Sequence, residues 1–105
     1  MADKNQKTLI DMETLERVAP VIRNAAHPLR LRIIDFLRLQ DHPCNVTEIV
    51  EATGVGQAVV SQQLRILKDQ GLLSSKRMGN HVLYEIANKS VLLLLECIRK
   101  HPDYC

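Results

Sequence analysis

A mainly α fold closed by one β-hairpin, in the order four helices, hairpin, helix, is predicted by three observations. Apolar residues recur at three- and four-residue spacing as far as Gly71, and the period then changes to two on either side of Gly79-Asn80. Between the third and fourth periodic stretches stands the tight turn Gly54-Val55-Gly56, which leaves two helices no room for a longer connection.

The first helix is expected from about Asp11 to Asn24, with Leu15, Val18, Val21 and Ile22 as its apolar stripe, and with Pro20 as a kink or a boundary. Pro28 suits the first position of a second helix, because its missing N–H would be unpaired there anyway. Leu29, Ile33, Phe36 and Leu37 give that helix a buried side, and it ends before DHPCN. Asn45-Val46-Thr47-Glu48 has the spacing of a capping box and opens a short third helix, closed by Gly54. The fourth helix is capped by Gly56 or Gln57 and ends at Gly71. Leu73, Ser75 and Arg77, the Gly79-Asn80 turn, then Val82, Tyr84 and Ile86 make the hairpin. Asn88 caps a last helix from Lys89 to about His101, where Pro102 stops it. Its Val91, Leu94, Leu95 and Ile98 are more apolar than a small monomer can readily hide. The whole reads as a winged helix-turn-helix that works as a dimer.

At 105 residues the chain is one domain, with residues 1–9 as a flexible lead and 10–105 as the folded unit. Phe36, Tyr84 and Tyr104 are its only aromatics, too few for stacking single-stranded bases. The formal charge is +2, so the placement of charge carries more than its sum. Arg65, Lys68, Lys76 and Arg77 gather in and just after the fourth helix, away from Glu13, Glu16, Glu48, Glu51 and Glu96. Three cysteines do not make a secreted disulfide framework. The polar start MADKNQKT is no leader, and VLLLL (91–95) is too short to span a bilayer. The expectation is a soluble, cytoplasmic protein with no membrane contact. No Gly-rich phosphate loop, Ser/His/Asp set or carboxylate pair suggests an enzyme, and no cofactor is expected.

The fourth helix sets Val60, Leu64 and Leu67 on one side and Gln57, Ala58, Ser61, Gln62 and Arg65 opposite. Gln can bond adenine N6 and N7, Arg guanine O6 and N7, and Ser either kind of edge, while Ala58 and Val59 suit a thymine methyl. The second helix of such a pair enters the major groove of double-stranded DNA. Lys68, Lys76 and Arg77 are placed for phosphates, with Asn80 and His81 at the wing tip. The alternative, a module that binds protein through the same face, calls for a Leu, Met or aromatic anchor that Ser61, Gln62 and Arg65 do not offer.

AAHPLRLRIIDFL, followed by VTEIVEATGVGQAVVSQQLRILKDQGLLSSKRMGNHVLYEI, resembles the ArsR/SmtB-like winged-helix repressors of bacteria from about Val18 to Ile98. The resemblance implies a homodimer joined by its first and last helices, bound to an inverted repeat and released by an inducer. It places Gln57, Ser61, Gln62 and Arg65 at the base-reading positions, and Arg77 and His81 on the wing. Gly56 departs from the family's more frequent serine.

Members of that family differ in what they sense. Zinc-type members carry Asp-x-His where this chain has Asn88-Lys89-Ser90, so that site is not expected and no metal ligands are assigned. Arsenic- and cadmium-type members carry Cys-x-Cys at the third helix, where only Cys44 stands, about a residue out of register. Persulfide-sensing members pair a second-helix cysteine with one at the chain's end; Cys105 matches the latter, but Asp35 occupies the former position. Cys44, Cys97 and Cys105 are therefore the candidates for a thiol-reactive or soft-metalloid inducer. Inert thiols, with Cys97 as a small core residue among leucines, are the other reading, and the residues leave both open.

Overall fold

The computed structural model describes residues 8–103; most of the expected flexible lead, Tyr104 and the thiol candidate Cys105 lie outside them. The order is α1 (Met12–Ala25), α2 (Pro28–Leu39), α3 (Val46–Thr53), α4 (Gln57–Asp69), β1 (Leu73–Met78), β2 (His81–Ile86) and α5 (Ser90–Lys100). This is a winged helix-turn-helix, with the hairpin as its wing.

Local chemistry accounts for most boundaries. Pro28 opens α2, where the ring nitrogen of His27 accepts the Leu29 N–H at 3.2 Å. α3 carries a complete capping box: Asn45 Oδ1 accepts the Glu48 N–H at 2.9 Å, and Glu48 Oε1 accepts the Asn45 N–H at 3.0 Å. Gly54, at φ 74°, ends α3 in the left-handed region, and its N–H bonds Val50 O at 2.8 Å. Gly56, not Gln57, is the N-cap of α4 and supplies no side-chain bond. α1 is continuous through Pro20, so the proline marks no boundary there. α5 starts at Ser90, one residue later than expected, with Lys89 rather than Asn88 as its N-cap, although Asn88 Oδ1 accepts the Ser90 N–H at 3.0 Å.

The wing pairs antiparallel from Leu73↔Ile86 to Met78↔His81. Gly79 has φ 60°, and among the described residues no non-glycine has positive φ, so the turn is of the kind that needs glycine at its first central position. A third pairing has no periodic signal. Cys44, between α2 and α3, forms an isolated bridge with Tyr84, its N–H on Tyr84 O at 3.0 Å and its O accepting Tyr84 N–H at 2.7 Å.

The core is Ile33, Ile34 and Leu37 of α2, Ile49 of α3, Val60, Leu64 and Leu67 of α4, with Leu72, Leu73, Val91 and Leu95 closing it. Full burial of one such leucine contributes about 1.5–3 kcal/mol. The stripe expected on α1 behaves differently. Leu15 and Ile22 are exposed, Val18 and Val21 half-buried, and Ala25 alone is buried on that helix. The periodicity is that of an amphipathic helix, but the described residues of one copy leave its Leu15 and Ile22 bare.

Candidate nucleic-acid interface

α4 is anchored from below by Val60, Leu64 and Leu67, all fully buried, so its opposite side is turned outward by the helical repeat. Gln57, Ala58, Gln62, Arg65 and Lys68 are exposed there, with Val59, and Ser61 is half-buried at the edge of the face. Lys76, Arg77, Asn80 and His81 are exposed on the wing. Side chains alternate along a strand, so Lys76 and Arg77 stand on opposite faces of the hairpin rather than forming one basic cluster. Among the described residues none of these eleven side chains has a hydrogen bond or ion pair within the chain.

The other two amides of the region do something else. Gln63 Oε1 accepts Arg30 Nε at 2.7 Å, while Arg30 Nη1 also donates to Asn24 O at 3.2 Å. Gln70 Oε1 accepts Asn24 Nδ2 at 2.9 Å. These bonds tie α4 and the residue after it to the end of α1 and the start of α2. Sequence reasoning missed this clamp, because an Arg–Gln pair 33 residues apart leaves no periodic trace.

A second electrostatic link joins α2 to α5. Asp35 accepts Arg38 at 2.9 Å and Arg99 at 3.0 Å. Partial burial pushes the Asp35 carboxyl upward, but the hydrogen bonds from Arg38 and Arg99 outweigh it and hold the group below its ordinary 3.8. The position at which the sequence resemblance implies a thiol thus makes its α2–α5 link through charge.

The cysteines separate into distinct environments. Cys44 is a fully buried free thiol whose Sγ lies 3.5 Å from His42 O. Burial, then the nearby charges of Glu48 and Asp41, push that thiol up from its ordinary value, the opposite of what a reactive cysteine requires. Cys97 is exposed on α5 and disulfide-bonded, which goes against the reading of it as a small core residue: on an eleven-residue helix it falls on the side away from Val91 and Leu95.

His42 and Glu48 surround Cys44. One ligand atom from each of the three lies within 4.8 Å of the others. Glu48 Oε2 is 4.0 Å from His42 Nε2, while His42 Nδ1 is 2.9 Å from Pro43 O. That hydrogen bond, then the charges of Glu48 and Asp41, outweigh solvation loss and raise the His42 pKa above its ordinary value.

Comparison with known proteins bears on both regions. The pattern described as "Bacterial regulatory protein, arsR family" matches residues 27–75, from the start of α2 into the wing. The HTH-type transcriptional regulator NmtR of Mycobacterium tuberculosis is 34% identical over 95 residues, covering 90% of this chain and 78% of that protein. The crystal structure of the transcriptional repressor PagR of Bacillus anthracis superposes with a TM-score of 0.72 at 30% identity, over 84% of this chain and 99% of that one. The homodimeric winged helix-turn-helix DNA-binding domain of Mb0332 from Mycobacterium bovis does so at 0.69 and 29% identity, over 98% and 88%.

Proposed function

The chain belongs to the arsR family of bacterial regulatory proteins, and on that premise we propose that it is a DNA-binding transcriptional repressor that grips a twofold-symmetric operator as a homodimer. One observation carries the reading: a row of exposed amide and guanidinium groups on α4, with the half-buried Ser61 hydroxyl at its edge, none of which has a partner among the described residues, beside core-facing residues that are wholly buried. Gln57, Ser61, Gln62 and Arg65 read base edges, Ala58 and Val59 meet thymine methyls, and Lys68, Lys76, Arg77, Asn80 and His81 hold the backbone and the minor groove.

The dimer rests on a separate feature. Met12, Leu15 and Ile22 of α1 and Leu93 of α5 are exposed, Leu93 by 76%. Between the two helices lies an apolar cavity of about 380 Å³ lined by Val18, Val21, Val91 and Leu94. A second copy seated there covers the stripe that one copy leaves bare, and sets two α4 helices about one DNA turn, roughly 34–36 Å, apart.

Selection from a random duplex library by the purified full chain tests the proposal. Enriched sequences should be inverted repeats, and Lys76→Ala should reduce the salt dependence by about one counterion without changing the preferred sequence. A library that emerges unenriched at low ionic strength would refute it. Thiol-based release of DNA, on this reading, acts at Cys97 and Cys105 once the Cys97 disulfide has been reduced, because the Cys44 side chain is fully buried. Cys105→Ser should then abolish release by a thiol oxidant, and an unaltered response would exclude that route.

A further inference from the structure

We propose that the cavity between α2 and α5 binds a small organic monocarboxylate, a carboxyl group carried on an aliphatic or aromatic body. Arg32 and Arg99 hold the carboxylate, and Pro28, Leu31, Leu95 and Ile98 hold the body.

Helical spacing builds the cavity. Pro28, Leu31, Arg32 and Asp35 recur on α2 at steps of three and four residues, and Leu95, Ile98 and Arg99 repeat those steps on α5. Each set shares one face of its helix, and together they line a cavity of about 450 Å³. That volume falls within the roughly 300–1,000 Å³ of sites that take small molecules. Leu95 is buried, Leu31 and Ile98 are half-buried, and Arg32 and Arg99 are exposed, so the lining passes from an apolar floor to a charged rim. The apolar cavity between α1 and α5 is different, with no charged residue in its lining.

Charge selects the sign of the ligand. Arg32 has no hydrogen bond or ion pair among the described residues. Arg99 reaches Asp35 through Nη2 alone, at 3.1 and 3.0 Å from the two carboxylate oxygens, which leaves its Nε and Nη1 donors unused among the described residues. Asp35 is neutralised without Arg99, because Arg38 gives it Nε at 3.1 Å and Nη2 at 2.9 Å. Three guanidiniums thus stand against one carboxylate, and the surplus lies on the rim. Guanidinium binds carboxylate through planar, charge-assisted hydrogen bonds, and the Asp35 contact holds Arg99 in place beforehand, so less side-chain freedom is lost on binding. A bare anion would leave the apolar floor uncovered, and a neutral hydrocarbon would leave the surplus charge unmatched. A ligand with both parts satisfies the whole lining. Nothing in this depends on the chain binding DNA.

Sodium octanoate, titrated into the full chain without DNA and followed by calorimetry and by backbone amide shifts, tests the site. One octanoate should bind per chain and shift the amides of Leu31, Arg32, Ile98 and Arg99. Arg32→Gln removes a side chain with no partner among the described residues, so it spares the fold, and it should weaken binding about 10-fold or more. Arg99→Gln should do the same. Octanol, which lacks the charge, and sodium acetate, which lacks the body, should each bind about 10-fold more weakly or less. Octanol binding as tightly as octanoate, Arg32→Gln binding octanoate as the parent does, or shifts confined to Val18, Val21 and Leu94 of the other cavity would overturn the proposal.

Discussion

Replacing Gln63 and Arg65 by alanine, one at a time, separates two jobs carried out on one helix two residues apart. Gln63 accepts a 2.7 Å hydrogen bond from the Arg30 guanidinium in a half-buried setting. A hydrogen bond to a charged group is worth about 1.5–3 kcal/mol net, and partial solvent access brings this one to the bottom of that range or just below it, about 1–1.5 kcal/mol. A chain of 105 residues unfolds with an entropy of about 0.2 kcal/mol/K, so the loss should lower Tm by about 5–7 °C. Arg65 is exposed and has no partner among the described residues, so its removal should move Tm by about 2 °C at most. On DNA the order reverses. Arg65→Ala should cost about 1–3 kcal/mol, roughly 5- to 150-fold, on the selected operator and blur discrimination at one base pair. Thermal melts and titrations against cognate and scrambled duplexes measure both. If Gln63→Ala melts with the parent, or Arg65→Ala binds both duplexes as the parent does, the division of α4 into a clamped edge and a reading face is wrong.

Leu93→Glu, on the bare stripe of α5, should turn a dimer into a folded monomer in sedimentation analysis; a variant that stays dimeric would place the interface elsewhere. Asp35 has a folded pKa below its unfolded one, so its stabilisation is complete above about pH 4 and fades as the pH falls through the lower, folded value. Urea unfolding of Asp35→Asn should therefore show a shallower loss of stability than the parent between about pH 4 and pH 2, and parallel curves would deny the α2–α5 link. Gly54→Ala should lose about 1–2 kcal/mol by chemical denaturation, because alanine is strained at φ 74°, and an unchanged midpoint would mean the turn adopts another conformation.

The order of elements, the capping box, the glycine turn and the outward face of α4 were all legible in the chain, because each depends on residues three or four apart or on a single local conformation. Periods of 3.6 and 2 are local properties, and the core of this fold is built from the sides they define. What the periodicity left undecided was where each side goes: α1 has an amphipathic repeat yet buries only Ala25, and Cys97 sits in a leucine run yet faces solvent. Only the tertiary structure decided that Arg30 holds Gln63, that Asp35 reaches Arg99, 64 residues on, and that Cys44 pairs with Tyr84. Those contacts join segments far apart in sequence, and their geometry follows from how the helices pack, which no window of neighbouring residues encodes.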